Sequence, residues 1–138
     1  MQAQRLPLLD SFGRFAAIGI VGFLIDAGVL SALVLGAGWQ ALPARLVSIT
    51  LAITTTWLIN RRVTFASRTV PFHVEYAGYF LIQLAGVCLN VGVFLAILRM
   101  WPQLARMPVV AQAAGSVTAL FFNFFVTRKT LYSTREVQ

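Results

Sequence analysis

Few residues in this chain are polar, and those that interrupt its apolar runs are the ones that can do chemistry. Asp26 is the sole charge between Arg14 and Arg45. A carboxylate at the centre of a membrane helix costs about 2.5–3.5 kcal/mol on insertion scales. It therefore needs a partner, a proton or a function, and Arg45 or a protonated state can supply the first two. Uncharged hydrogen-bonding side chains lie in the same kind of setting: Thr56, Asn60, Gln83, Asn90 and Asn123. Two basic pairs, Arg61-Arg62 and Arg128-Lys129, close two of the runs. Hydrolytic chemistry finds no support. The intramembrane acids form no carboxylate pair, and no nucleophile–base arrangement is visible. One cysteine and one histidine offer neither a metal cluster nor an internal disulfide. Cys88, in mid-run, reads as a small buried apolar residue. His73 reads as a solvated side chain rather than a proton relay, having no second ligand or nucleophile nearby in sequence.

The elements that carry these residues follow from the composition. The chain has 138 residues, 59% hydrophobic and only 11% charged, with a mean hydropathy of +0.81. Ordinary soluble domains are about 25% charged, so a water-soluble globule is excluded, and disorder is excluded by the hydrophobicity. The net charge of +7 does not point to nucleic acid, because no stripe of basic and aromatic residues lies outside the apolar runs. The charges instead flank those runs, as lipid headgroups and topology require. A helix needs about 20 apolar residues to cross a bilayer, and gaps between charges predict spans at 15–38, 43–60, 76–98 and 108–127. The first is too long for a signal peptide and carries an acid at its centre. Pro43 and Pro108 suit first helical positions. Trp39 and Trp101 suit one membrane interface, Tyr76 and Tyr132 the other.

Basic residues set the orientation. Arg5, Arg14, Arg61, Arg62, Arg68, Arg128, Lys129 and Arg135 fall on one side, against Arg45, Arg99 and Arg106 on the other. This predicts both termini in the cytoplasm, with residues 1–14 and a basic tail at 128–138 flanking a membrane domain at 15–127. Residues 66–75 are expected to form a brief interfacial helix, with Phe72 dipping into lipid and His73 and Glu75 solvated. Arg45 can snorkel toward the outer interface.

The two halves resemble each other. At an offset of 64, Gly19, Gly22 and Asp26 fall over Gln83, Gly86 and Asn90. At an offset of 67, Arg45, Ala52, Thr56 and Asn60 fall over Gln112, Ala119, Asn123 and Thr127. Spacings of three and four place each set on one helical face. Each half holds two spans, so the fold class expected is an all-α membrane protein of two parallel two-helix repeats related by an axis along the membrane normal. Gly22, Gly28, Gly86 and Gly92 read as close-packing positions. Thr56, Asn60, Asn90 and Asn123 can equally be interhelical glue worth roughly 0.6 kcal/mol each.

With RFAAIGIVGFLIDAGVL in the first span, WLINRRVTF closing the second and NFFVTRKTLY closing the fourth, the chain resembles the GtrA family from about Arg14 to Tyr132. Thr127 and Tyr132 depart from the asparagine and phenylalanine usual in the last motif. The resemblance implies a multi-pass protein of the bacterial inner membrane that moves polyprenyl-phosphate-linked monosaccharides from the cytoplasmic to the periplasmic leaflet, for modification of envelope glycans. It points to Asp26, Asn60-Arg61-Arg62 with Thr64-Phe65, and Asn123 with Arg128. On that reading Arg61, Arg62, Arg128 and Lys129 gather the phosphate. Asp26, Thr56, Asn60, Gln83, Asn90 and Asn123 line the headgroup's path toward Arg45. No cofactor, metal or enzymatic step is implied. The partners are the lipid-linked sugar, the bilayer and a membrane glycosyltransferase, with a homodimer expected because four short helices barely enclose a sugar. Two other readings stay open: a proton-coupled exporter of the small multidrug type using Asp26, and an adaptor recruiting a glycosyltransferase through its basic loop.

Overall fold

The computed structural model describes residues 7–65, 70–106 and 108–132. Among them the chain is helical, with four long α-helices: α1 (Leu8–Ser31), α2 (Ala41–Val63), α3 (Phe72–Met100) and α4 (Pro108–Thr130). A π-helical turn, Ala32–Gly36, extends α1, and a 3-10 turn, Pro102–Arg106, precedes α4. Prolines punctuate the chain. Pro7 and Pro71 stand just before α1 and α3. Trp101 leaves the helical region because Pro102 follows it, which ends α3. Pro108 opens α4 as expected. Pro43 does not open α2, which begins two residues earlier at Ala41. The N–H that proline lacks has no acceptor anywhere in a first turn, so the third position is tolerated as well.

The helices overrun the predicted spans at most ends, because backbone hydrogen bonding does not stop where the apolar run does. Three helical stretches are long and apolar enough to cross a membrane: Leu8–Gly36, Phe72–Met100 and Val110–Thr130. The fourth helix, α2, has 23 residues but carries Arg45, Ser48, four threonines, Asn60, Arg61 and Arg62. Its threonines hide their polarity. Thr50, Thr54, Thr55 and Thr56 each donate to the carbonyl one turn back, at 2.7–2.9 Å. A hydroxyl already bonded to its own helix costs far less among apolar neighbours than an unbonded one.

The chain divides into two compact units, Met1–Arg68 and Thr69–Gln138, and each is an antiparallel helical hairpin. In the first, Phe15, Ile18 and Gly22 of α1 and Ala44, Ser48, Ala52, Thr56, Trp57 and Asn60 of α2 are buried. Their spacing of three and four gives one stripe per helix. The Phe15 and Phe65 rings meet edge to face at 6.1 Å at the open end. The connection Ala37–Gln40 turns through Gly38, whose φ of +69° favours glycine. In the second unit the buried stripes are Glu75, Tyr79 and Gly86 on α3 and Ala111, Ala119, Phe124 and Thr127 on α4. Ala44 and Ala111, Ala52 and Ala119, Trp57 and Phe124, and Asn60 and Thr127 are buried at positions 67 apart. The outward faces are apolar: Ile20, Phe23 and Leu24 on α1, and Leu81, Val87, Val91 and Leu95 on α3. Water would make these faces a liability; lipid makes them ordinary.

Several expectations are corrected. Glu75 is fully buried rather than solvated, because the Tyr132 hydroxyl donates to its Oε1 at 2.5 Å. Tyr132 is itself buried. Phe72 and His73 are exposed in the first turn of α3, and residues 66–69 of the expected interfacial helix lie outside the described residues. Cys88 is exposed: two residues past Gly86, it points about 200° round the helix from the packed stripe. An added Cβ at Gly28 or Gly92 would meet nothing within 4 Å, so neither is a packing position within its own hairpin. Each lies six residues past the packed glycine, well off its face.

Candidate functional site

In the first unit the chemistry concentrates where α1 faces the start of α2. Asp26 lies roughly 15 Å in from the Gly36 end of its helix at 1.5 Å per residue. Arg45 Nη1 donates to Asp26 Oδ2 at 2.6 Å. The Ser48 hydroxyl, fully buried, donates to Asp26 Oδ1 at 2.6 Å and lies 3.1 Å from the Arg45 carbonyl. Both carboxylate oxygens are thus bonded, one to a cation and one to a neutral donor. The geometry follows from spacing: Arg45 and Ser48 are three apart, so both reach the face turned toward α1. Exposure is graded across the cluster, 18% for the Asp26 side chain and 47% for Arg45. The carboxylate is seated in the seam while the guanidinium opens outward. Ser48 was not singled out in the sequence; its place one turn from Arg45 was the available signal.

Further along the same seam, Thr56 packs against Gly22. A Cβ there would come within 2.5 Å of Thr56 Cγ2, so the glycine makes room for the threonine. Asn60 is buried and its Oδ1 accepts from the Thr64 hydroxyl at 2.7 Å. At the open end Arg61 stacks its guanidinium over Trp57, 5.8 Å from the ring centroid. Arg62 is exposed, and Arg14 Nη1 donates to the Val63 carbonyl at 3.3 Å. That last contact ties a basic residue of α1 to the orphan carbonyls at the end of α2.

In the second unit the seam at the level matching Asp26 and Arg45 is polar but uncharged. Asn90 Nδ2 donates to the Ser116 hydroxyl at 3.1 Å, with Gln112 Nε2 3.5 Å from the same oxygen. Gly115 lets α4 approach there, since a Cβ would come within 2.6 Å of the Asn90 backbone oxygen. One stage nearer the open end, Asn123 Nδ2 donates to Gln83 Oε1 at 2.8 Å. Gly86 faces that amide so closely that a side chain would collide with it. Arg128 folds back over Phe124, 5.9 Å from the ring centroid, and Lys129 is exposed.

The candidate residues therefore fall into separate groups within each unit: Asp26 with Arg45, Thr56 with Asn60 along one seam, Gln83 with Asn123, and Asn90 beside Ser116. Arg61 and Arg62 belong to the first unit, Arg128 and Lys129 to the second. Ser48, Ser116, Thr127 and the Glu75–Tyr132 pair were missed as site residues. Ser116 falls over Ile49 at the offset of 67, so the alignment of halves hides it. Among the described residues no group of three His, Cys, Asp or Glu side chains can hold a metal. Such an arrangement can coordinate an anion and hydroxyls inside an apolar body.

Residues 14–132 match the family model described as GtrA/DPMS, transmembrane domain. The chain is also 25% identical over 120 residues to YngA, an uncharacterized membrane protein of Bacillus subtilis (strain 168). That similarity covers 87% of this chain and 78% of the relative.

Proposed function

This chain belongs to the GtrA/DPMS transmembrane-domain family, and on that premise we propose that it is a flippase. Its substrate on this reading is a polyprenyl-phosphate-linked monosaccharide, carried from the cytoplasmic to the periplasmic leaflet of a bacterial inner membrane. Membership makes it a multi-pass membrane protein of the sugar–lipid class; the direction, the substrate and a cytoplasmic position for both termini are our reading.

The polyprenyl tail is at home in lipid, so only the headgroup needs help. Two costs must fall: desolvating a phosphate and stripping water from sugar hydroxyls. The observation that carries the reading is the Asp26–Arg45–Ser48 cluster. Among the described residues, Arg45 bonds Asp26 through Nη1, which leaves its other guanidinium donors to pair an oxyanion as a fork. Asp26 holds that fork in place and has both oxygens occupied. Such occupancy supports a fixed anion site over an exporter whose carboxylate must exchange protons with its substrate. The amide and hydroxyl groups along the seams supply donors and acceptors for hydroxyls. Movement is passive, driven by synthesis of the lipid on one side and consumption on the other. The basic residues Arg61, Arg62, Arg128 and Lys129 concentrate the anion at the cytoplasmic face.

The test is transbilayer movement of a lipid-linked hexose in liposomes containing the purified protein. We expect movement without an imposed pH gradient, and its loss in Arg45→Ala. An Arg45→Ala protein that inserts normally and transports at the wild-type rate removes the assignment. Transport that appears only under a proton gradient favours the exporter.

A further inference from the structure

The described residues of the second unit include a set of buried polar atoms without partners among them. Among the described residues, the buried side-chain nitrogen and oxygen atoms without a hydrogen-bond partner are Asn123 Oδ1, Thr127 Oγ1 and Arg128 Nη1. All three belong to one stretch of α4, six residues long. Thr127 has no exposed surface. Its hydroxyl differs from those of Thr118 and Thr130 on the same helix, which donate to the carbonyl one turn back at 2.8 and 2.7 Å. A buried threonine that forgoes that bond leaves its desolvation uncompensated. A fold under no other demand would place valine there.

The chemistry of the three atoms is specific. Arg128 Nη1 is a charged donor, Thr127 Oγ1 can donate or accept, and Asn123 Oδ1 can only accept. Asn123 and Thr127 are one turn apart on one face of α4, about 6 Å along the axis. Arg128 folds back toward the start of the helix, with its guanidinium over the Phe124 ring, which brings its charge toward the level of Asn123. The Gln83 amide accepts from Asn123 Nδ2 and so fixes which end of that amide faces away from Gln83. The corresponding residues of the first unit are committed: Thr56 to the Ala52 carbonyl and Asn60 to Thr64.

We infer that Arg128, Thr127 and Asn123 form a headgroup site for a phosphate ester bearing a hydroxylated substituent, with the phosphate on Arg128 and Thr127 and a substituent hydroxyl donating to Asn123. This rests on the flippase reading for the identity of the ligand. A fully ionised phosphate alone leaves the Asn123 carbonyl unpaired, because two acceptors cannot bond each other. An uncharged sugar alone leaves the Arg128 donor without an anion. A sugar phosphate satisfies all three atoms at once. The site thus distinguishes a loaded polyprenyl phosphate from the fully ionised empty carrier, and it does so through an acceptor that a sugar hydroxyl fills.

The probes are a short-chain prenyl phosphate hexose and the same prenyl phosphate without sugar, titrated onto the detergent-solubilised protein. The wild type binds the hexose form tighter, by about tenfold for one added hydrogen bond in a desolvated site. Thr127→Val weakens both probes by about tenfold without lowering the thermal midpoint, and Thr127→Ser restores binding. Asn123→Leu removes the preference for the sugar-bearing probe. If Asn123→Leu fails to fold against Gly86, Gln83→Leu, which frees the Asn123 amide to turn, reports the same loss of preference. Thr127→Val that binds both probes as the wild type does overturns the site, and wild-type transport in liposomes would then leave the flippase reading standing. Binding lost in Thr127→Val, from a wild type that moves no lipid, keeps the site and overturns the flippase.

Discussion

The Asp26–Arg45 pair can be neutralised with residues the chain itself uses at the matching places. Asn90 and Gln112 occupy the positions that align with Asp26 and Arg45, so the perturbation is Asp26→Asn, Arg45→Gln and the two combined. Arg45→Gln leaves a carboxylate deep in an apolar hairpin with the Ser48 hydroxyl as its charge-bearing oxygens' neutral donor. Removing one partner of a fully buried pair costs about 3–5 kcal/mol. Arg45 is half exposed, so screening and adjustment reduce this to about 2 kcal/mol. Asp26→Asn is milder, about 0.5 kcal/mol. The arginine can extend toward the interface, and an amide oxygen still accepts from Ser48. The double variant removes both charges and replaces them by a neutral pair, so its cost should stay within about 1 kcal/mol.

Additive behaviour would predict about 2.5 kcal/mol for the double variant, so the cycle should return a coupling of about 1.5 kcal/mol. Unfolding in mixed detergent–SDS micelles, followed by helicity, measures the four stabilities. Transport in liposomes measures the function. Arg45→Gln and the double variant should both lose transport, although the double variant is nearly as stable as the wild type. A coupling under about 0.5 kcal/mol, or a double variant that transports normally, would show the pair to be a surface contact with no role in moving the lipid.

Four further outcomes rest on the packing. Gly115→Ala should destabilise by about 1–3 kcal/mol, because its Cβ meets backbone at Asn90 and backbone cannot turn aside. Gly92→Ala, with open space around it, should stabilise by up to about 1 kcal/mol through helix propensity; unfolding midpoints measure both. Gly22→Ala should be destabilising alone and recover when combined with Thr56→Ser, since the collision is with the threonine methyl. Tyr132→Phe should cost about 1–3 kcal/mol by stripping a donor from the buried Glu75 carboxyl, with Glu75→Gln costing less because the amide oxygen still accepts from the tyrosine.

The helices were legible in the sequence because charges bracket apolar runs, and a charge is the most expensive thing to leave within one. The faces were legible too: Gly22, Asp26, Thr56 and Asn60 lie at spacings of three and four, and the structure places them in one seam. What could not be read was long-range pairing. Glu75 stands in Phe72-His73-Val74-Glu75-Tyr76, a segment whose local pattern is that of a wet loop. Its burial depends on a tyrosine 57 residues away. The glycines failed for a different reason. Gly22 and Gly28 look alike in composition, but six residues correspond to 240° of rotation, and a stripe of packed positions has room for one of them. Exposure of Cys88 follows from the same arithmetic. Whether a threonine hydroxyl is spent on its own helix, as at Thr56, or left unspent, as at Thr127, has no local signature, since both sit in apolar surroundings.

The contrast between the two units bears on what the polar residues are for. Had they served only as adhesive between helices, each would need a partner, because an unbonded polar group weakens the seam it sits in. The first unit meets that condition: Asp26, Ser48, Thr56 and Asn60 are all bonded within their own hairpin. The second unit keeps the same buried positions but drops the charge at Asn90 and Gln112, and among the described residues three buried atoms between Asn123 and Arg128 lack a partner. A packing role explains the first arrangement and fails on the second. Ligand binding explains both, with a charged and internally balanced anchor in one hairpin and an unbalanced set of donors and acceptors in the other. On the proposed reading, the unpartnered set beside Arg128 is where selectivity for a headgroup would reside, since unspent hydrogen-bonding capacity discriminates between ligands.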